Sequence, residues 1–210
     1  MGKLANQIQF LIEIDKVKSI LRQSIVLGDL NRRENDAEHS WHMALCAMTL
    51  KEYSNLEEID MEKVLKLILI HDIVEVYAGD TPAFSDYNKQ TKWRAELESA
   101  EKIYGMLPED QEKEFMKLWL EFENMETKEA KFANTFDRFQ GFIQNLTSDG
   151  HTWKKFSVTK EMVLKRMSPI IEYAPQLFHE FVMPEIQKYI DRGVIKDNGY
   201  TLWKINKGLW

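Results

Sequence analysis

Apolar residues in this chain recur at three- and four-residue steps almost from end to end, and that periodicity confines it to helical architectures. Phe10, Ile14, Val17 and Leu21 fall at i, i+4, i+7 and i+11, one stripe of a first helix near 6–26. A second helix starts around Asp36 to Glu38 and runs to about Tyr53, with Trp41, Leu45 and Met48 on its apolar face. A third, near 60–77, is expected to bury Val64, Leu65, Ile68 and Leu69 and carries His71, Asp72 and Glu75 towards its end. Gly79 and Pro82 in Ala78-Gly79-Asp80-Thr81-Pro82 then break it. Trp93, Leu97, Ala100 and Tyr104 mark a helix near 88–106. Pro108 ahead of Glu109 and Asp110 opens the next, whose buried face is Phe115, Leu118, Trp119 and Phe122. Phe132, Phe136, Phe139 and Ile143 define a helix over about 127–147, and two more follow the break at Ser148-Asp149-Gly150, near 159–173 and 175–192. No period-2 strand, internal repeat or low-complexity linker emerges, and a turn or short hairpin is expected only around Asn198-Gly199. The pattern predicts an all-α fold.

At 210 residues, 44% of them apolar and 11% aromatic, the chain can bury a substantial core, so extensive disorder is excluded. Its 28 basic and 34 acidic residues leave a net charge of −6, which gives no general attraction to a nucleic acid polymer or an anionic membrane. An anionic substrate would need a local feature, a metal ion or a few arginines. Cys46 is the only cysteine, so no intrachain disulfide can form, and the apolar run Ala44 to Met48 around it reads as core. No stretch approaches the ~18 apolar residues of a membrane helix, and a soluble cytoplasmic protein is expected.

Chemistry is announced by His71-Asp72, which ends the apolar run Val64 to Ile70. A carboxylate next to a buried segment is costly unless something compensates it, and one candidate is a cation. For the pair alone, a helix-end Asp bonded to a backbone amide beside a satisfied core histidine is the commoner outcome. The pair has company, however. His39 opens a helix in Asn35-Asp36-Ala37-Glu38-His39-Ser40, and Asp137 stands in the aromatic run Phe136-Asp137-Arg138-Phe139. Two imidazoles and two carboxylates suit octahedral Mn, Fe, Co, Ni or Mg, and Zn less strictly, with open positions left for water or substrate. Such an ion polarises a phosphoryl oxygen and lowers the pKa of water, as metal-assisted hydrolysis requires.

The order His39 … His71-Asp72 … Asp137 resembles the H…HD…D pattern of the HD-domain phosphohydrolases. Glu34 to Ser40 is similar to the E-N-x-x-E-H-S segment of their 5′-deoxynucleotidase branch. His71-Asp72-Ile73-Val74-Glu75 followed by Gly79-Asp80-Thr81-Pro82 resembles its H-D-x-x-E…G-D-x-P segment, and Lys18 with Arg22 its L-K-x-x-x-R element. The resemblance spans about residues 8–192. It implies one HD domain over 1–210, a helical bundle with a metal-binding core at about 8–147 and a C-terminal helical extension at about 151–192. It implies a divalent ion on His39, His71, Asp72 and Asp137, the last and His39 also facing substrate. Arg22 would orient the phosphate, Glu75 would handle a proton of the attacking water or leaving group, and Asp80, Thr81 and Pro82 would contact the sugar. Gln23 stands where the branch can carry tryptophan, which leaves base and sugar preference open. A nucleotide substrate and a homodimer are implied as well.

The reading that results is removal of the 5′-phosphate from a (deoxy)nucleoside monophosphate. Hydrolysis of another nucleotide, such as a guanosine polyphosphate alarmone, is a rival, although Val76 follows Glu75 where that chemistry would call for a second acid. A metal-bearing module without catalysis is a further rival, against which Arg22, Glu75 and Asp80 occur together. His42 reads as a structural hydrogen bonder, His151 and His179 as surface or packing residues, and Arg32 and Arg33 as solvated. Asn134 competes with Asp137 as a ligand and is the poorer hard donor. Trp93, Trp119, Trp153 and Trp203 read as packing or subunit-interface residues, and the Glu/Lys-rich run near 109–129 as an exposed face.

Overall fold

The computed structural model describes residues 2–85 and 87–201. The chain begins with α1 (Lys3–Ile14) and a tight helical turn (Asp15–Ser19), then forms an antiparallel hairpin of β1 (Leu21–Val26) and β2 (Asp29–Asn35). Then follow α2 (Asp36–Thr49), α3 (Met61–Ile70), the single turn α4 (Glu75–Ala78), α5 (Lys89–Tyr104), α6 (Glu109–Glu123) and α7 (Lys128–Thr147). The C-terminal part comprises the short helices α8 (His151–Lys155), α9 (Lys160–Arg166), α10 (Ser168–Tyr173) and α11 (Pro175–Leu177), a π-helical turn (Phe178–Val182) and α12 (Met183–Asp191). The fold is helical, as the periodicity predicts, with one small sheet added.

The centre of the bundle is α7. It touches α2, α3, α6, α10 and β1. Thr127 caps it by accepting from the amide of Ala130, and both its flanks are buried, Phe132, Phe136 and Phe139 among them. Each large aromatic side chain fully withdrawn from water there stabilises the fold by roughly 1.5–3 kcal/mol. One continuous apolar cluster runs from Phe10 through Val64 and Phe136 to Ile170, Phe178 and Ile186.

Four expectations are corrected. The first helix does not reach Arg22: it ends at Ile14, and Arg22 stands on β1. The 3.6-residue stripe continues numerically to Leu21, but the backbone turns extended at Ile20, and Gly28, at φ +95°, supplies the turn that pairs Val26 with Asp29. Only Ile25 of β1 is fully buried, so the strand leaves little alternation to read. The buried face of α2 is His39, Ser40, Met43 and Ala47, whereas Trp41, Leu45 and Met48 are exposed. The third helix stops at Ile70, turns through His71–Val74 and restarts at Glu75; Val64 and Ile68 are buried with Leu67 and Ile70, Leu65 is half-buried and Leu69 is exposed. No hairpin forms at Asn198-Gly199 within the described residues, where the only pairing is an isolated bridge of Lys196 with Thr159. Trp203 lies outside the described residues.

Gly150 caps α8 at φ +69°, and a Cβ there would come within 2.9 Å of Val194 Cγ1 and 3.2 Å of the Trp153 and Tyr189 rings. Gly150→Ala therefore combines a left-handed backbone with overpacking and should destabilise by about 1–3 kcal/mol. Thermal unfolding would show this as a lower Tm, and an unchanged Tm would mean that the C-terminal helices do not pack on α8 as described.

Candidate metal centre and active site

Three elements converge beside Asp72. The capping box of α2, in which Asn35 accepts from the Glu38 amide and Glu38 from the Asn35 amide, starts that helix sharply enough to bring His39 inward after one turn. The end of α3 delivers His71 and Asp72, and α7 delivers Asp137. His71 donates from Nδ1 to the backbone oxygen of Ile68 at 2.7 Å, which leaves Nε2 pointing into the site. His39 is oriented by a longer relay. Glu34 accepts from Gln140 Nε2 at 2.6 Å and from Gln144 Nε2 at 2.8 Å, so the Gln140 oxygen is turned to His39 Nδ1, 2.7 Å away. Both histidines thus carry a proton on Nδ1 and face one another through Nε2.

Those two Nε2 atoms are fully buried, and neither makes a hydrogen bond. Asp72 Oδ2 lies 3.0 Å from His71 Nε2 and 3.8 Å from His39 Nε2, and Asp137 Oδ1 lies 3.2 Å from His39 Nε2. Ligand atoms of His39, His71 and Asp72 all fall within 4.8 Å of one another. Asp137 approaches from the His39 side, its second oxygen held by Arg138. Orphaned imidazole nitrogens converging on carboxylate oxygens are the donor set of a borderline divalent ion, so the residues present fit such a cofactor. The charges agree. Burial opposes ionisation of Asp72, but His71 and Arg22 outweigh it and hold its pKa below the usual carboxylate range. Asp137 is likewise held low against burial, by Arg138 and His39. Burial would lower the His71 pKa, but Asp72 and then Asp137 raise it to about 9. Without an ion, the cluster recruits a proton as its cation.

Next to it lies a second carboxyl group cluster. Oxygens of Asp36, Asp72 and Glu75 fall within 4.8 Å of one another. Burial and the charge of Asp72 push Asp36 up to about 7, and burial with Asp72 and Asp36 pushes Glu75 well above its ordinary value. Asp36 Oδ2 and Glu75 Oε2 are buried without a hydrogen-bond donor, which one proton shared between the two groups would relieve. Arg22 Nη1 links this pair to the histidines, at 2.7 Å from Asp72 Oδ2 and 3.2 Å from Asp36 Oδ1. Glu34, Asp36 and Gln140 were not among the residues singled out from the sequence. Asp36 reads there as an ordinary first-turn acid, and Gln140 carries no local signal at all.

From Arg22 a pocket opens outward. Gln23 and Ser24 of β1 form one wall, and the turn Asp80 to Phe84 forms another. Phe142, Trp153 and Phe156 give it an aromatic side, and Arg138 and Arg166 border it. Gln23 accepts from Lys155 at 2.6 Å, which ties β1 to α8. Burial raises the Asp80 pKa. The remaining polar residues have local partners: His42 meets Gln140 at 3.3 Å, Arg32 grips Glu38, Arg33 donates to the backbone oxygens of Leu21 and Arg22, and Asn134 donates to those of Phe122 and Ala130. Trp93 stacks on the buried Trp119, and Trp153 is buried.

Such a bundle, with two inward imidazoles and a His-Asp pair at a helix end, has counterparts among known proteins. The HD domain matches residues 14–178, most of the chain, and the chain belongs to the HD-domain family. A predicted metal-dependent phosphohydrolase from Magnetospirillum magnetotacticum MS-1 superposes with a TM-score of 0.84 at 39% identity, covering 92% of this chain and 95% of that one. The human 5′-deoxynucleotidase HDDC2 is 31% identical over 137 residues, 65% of this chain and 65% of the human protein. A Schizosaccharomyces pombe 5′-deoxynucleotidase, hdd1, is 27% identical over 77% of this chain and 79% of its own length. Family and site together make the cofactor a divalent metal ion.

Removing the Gln140 amide while keeping its bulk, as in Gln140→Leu, frees His39 to rotate and deprives Glu34 of one of its donors. Metal affinity should fall about 10–100-fold with helicity kept. Because His71 holds a proton up to about pH 9, metal uptake below that pH must expel it, and apparent affinity should rise with pH and level off near 9. Calorimetry in buffers of different ionisation enthalpy measures that proton. Uptake without proton release at pH 7 would contradict the arrangement.

Proposed function

We propose that this chain is a metal-dependent hydrolase of nucleoside 5′-monophosphates, with deoxynucleosides preferred. The observation that carries the reading is that Arg22, bonded to Asp72 of the His/Asp cluster, also lines a pocket that runs to the Asp80–Pro82 turn and an aromatic side, so that a phosphate at Arg22 leaves suitable surfaces for a sugar and a base. The names of the curated relatives from human and fission yeast support the deoxynucleotide preference.

In this proposal His39, His71, Asp72 and Asp137 hold the ion. When bound, it supplies a Lewis acid for a phosphoryl oxygen and lowers the pKa of water. Arg22 engages Asp72 and Asp36 through Nη1 alone, so Nη2 remains for a phosphoryl oxygen, and its Asp72 contact fixes the angle at which it is offered. Glu75, sharing a proton with Asp36, passes that proton at Oε2; a carboxyl group kept protonated by burial suits donation to a leaving alkoxide. Asp80 and Thr81 contact the sugar, Pro82 shapes their turn, and Gln23, held by Lys155, limits what fits beside the sugar.

We read residues 1–210 as a single HD domain in which the helices from 151 onward complete the pocket around the core of 8–147. We also propose a homodimer, because Trp41 and Leu45 of α2 and Leu27 of the hairpin border one open apolar groove, at 65%, 41% and 68% exposure. No helix among the described residues is long and apolar enough to cross a membrane. The lone cysteine, Cys46, fits a reducing compartment such as the cytoplasm.

Phosphate release from deoxy- and ribonucleoside 5′-monophosphates, with Mn, Co, Zn, Ni, Fe and Mg compared, tests the reading. Glu75→Gln should keep the metal and lower kcat by roughly 10²–10⁴-fold. Turnover near that of the parent would relegate Glu75 to packing, and no release from any 5′-monophosphate would overturn the reading.

A further inference from the structure

Three guanidinium groups border the proposed substrate pocket, and two of them have acids to answer to. Arg22 is paired with Asp72 and Asp36, and Arg138 with Asp137. Arg166, at the end of α9, makes no hydrogen bond and no ion pair among the described residues, yet its side chain is largely withdrawn from water and lines the pocket together with the other two. Asp137 favours its charge but forms no ion pair with it. One oxygen of that carboxylate faces His39 and the other is held by Arg138. Burial and then Arg138 and Arg22 disfavour the charge of Arg166, and Asp137 offsets them only in part, so that its pKa comes down to about 9. A half-buried, unpaired guanidinium beside two others is costly to maintain unless an anion completes it.

We propose that Arg166, set in place beside Arg138, is a second phosphate-binding residue, which grips the phosphoryl oxygens of the substrate together with Arg22. The inference rests on the nucleotidase reading for the identity of the substrate, but not for the existence of the anion site. Arg22 comes from the hairpin and Arg166 from the C-terminal helices, so a phosphate held by both closes two separate parts of the chain over one ligand. This gives the residues from 151 onward a part in binding beyond packing. Arginine rather than lysine suits the position, since two parallel hydrogen bonds fix a tetrahedral anion where a point charge does not.

The test uses the metal-loaded full chain with inorganic phosphate as the probe, followed by titration calorimetry and by competition against a 5′-deoxynucleoside monophosphate. Arg166→Met keeps the aliphatic stem and removes the charge, and Arg166→Lys keeps the charge without the fork. Phosphate affinity and kcat/KM should fall about 10- to 100-fold in Arg166→Met, the equivalent of one lost charge-assisted hydrogen bond, with partial recovery in Arg166→Lys. Metal content should be unchanged in both. A purely structural arginine would instead lower Tm and leave phosphate affinity as it was, and that result overturns the proposal. If Arg166→Met destabilises the chain, Arg166→Lys decides: weakened phosphate binding at parental Tm supports the site, and parental binding refutes it. Should the parent bind phosphate through Arg166 but hydrolyse no nucleoside monophosphate, the anion site stands and the nucleotidase reading falls. Hydrolysis with phosphate affinity indifferent to Arg166 gives the converse.

Discussion

Asp72 lies where α3 ends, and the charged groups at the centre of the molecule are arranged around it. Its Oδ2 faces His71, His39 and Arg22, and its charge raises the pKa of both Asp36 and Glu75. An ionised carboxylate so deeply placed would cost several kcal/mol if unpaired. The structure answers with Arg22 on one side and the two imidazoles on the other, and the imidazoles can meet the demand in two ways, by taking a proton or by ceding the space to a divalent ion. The second avoids leaving two buried nitrogens without partners. The cluster is thus built of buried groups whose repulsions a cation resolves, whether a proton or a metal ion.

Packing makes that concentration of charge tolerable. The helix α7 runs through the bundle with aromatic residues on its buried flanks, yet Asp137, Gln140 and Gln144 project from it towards α2 and the hairpin. Gln140 and Gln144 both donate to Glu34, which lies on the strand that leads into α2. The position of His39 is thus set twice, by the capping box at the start of its own helix and by a glutamine across the interface. Burial of the surrounding aromatics holds these polar contacts in a medium where each is stronger than in water.

How much of this could be read beforehand follows from the kind of signal each residue carries. His71 and Asp72 are conspicuous because ionisable groups terminate an apolar run, while the E-N-x-x-E-H-S segment brings His39, the H-D-x-x-E…G-D-x-P segment Glu75 and Asp80, and the L-K-x-x-x-R element Arg22. The strand under Arg22 was not legible, since an i, i+4, i+7 stripe passes through Leu21 whether or not the backbone stays helical. The face of α2 was misassigned for a related reason: Trp41, Leu45 and Met48 are apolar but point outward, while the inward face is marked by a histidine, a serine and two small or flexible apolar residues. Glu34, Asp36 and Gln140 depend on contacts between elements far apart in the chain. Periodicity is blind to those. Arg166 is harder still to read, because what distinguishes it is the lack of a partner among the described residues.

The most direct measurement of the central claim is anomalous diffraction from crystals of the Co²⁺-loaded protein. The account predicts a single strong peak per chain at about 2.0–2.2 Å from His39 Nε2, His71 Nε2 and an oxygen of Asp72, with Asp137 completing the protein donors. A peak elsewhere, or a well-ordered chain that takes up no ion in the presence of excess Co²⁺ while both imidazoles keep their present orientation, would contradict it.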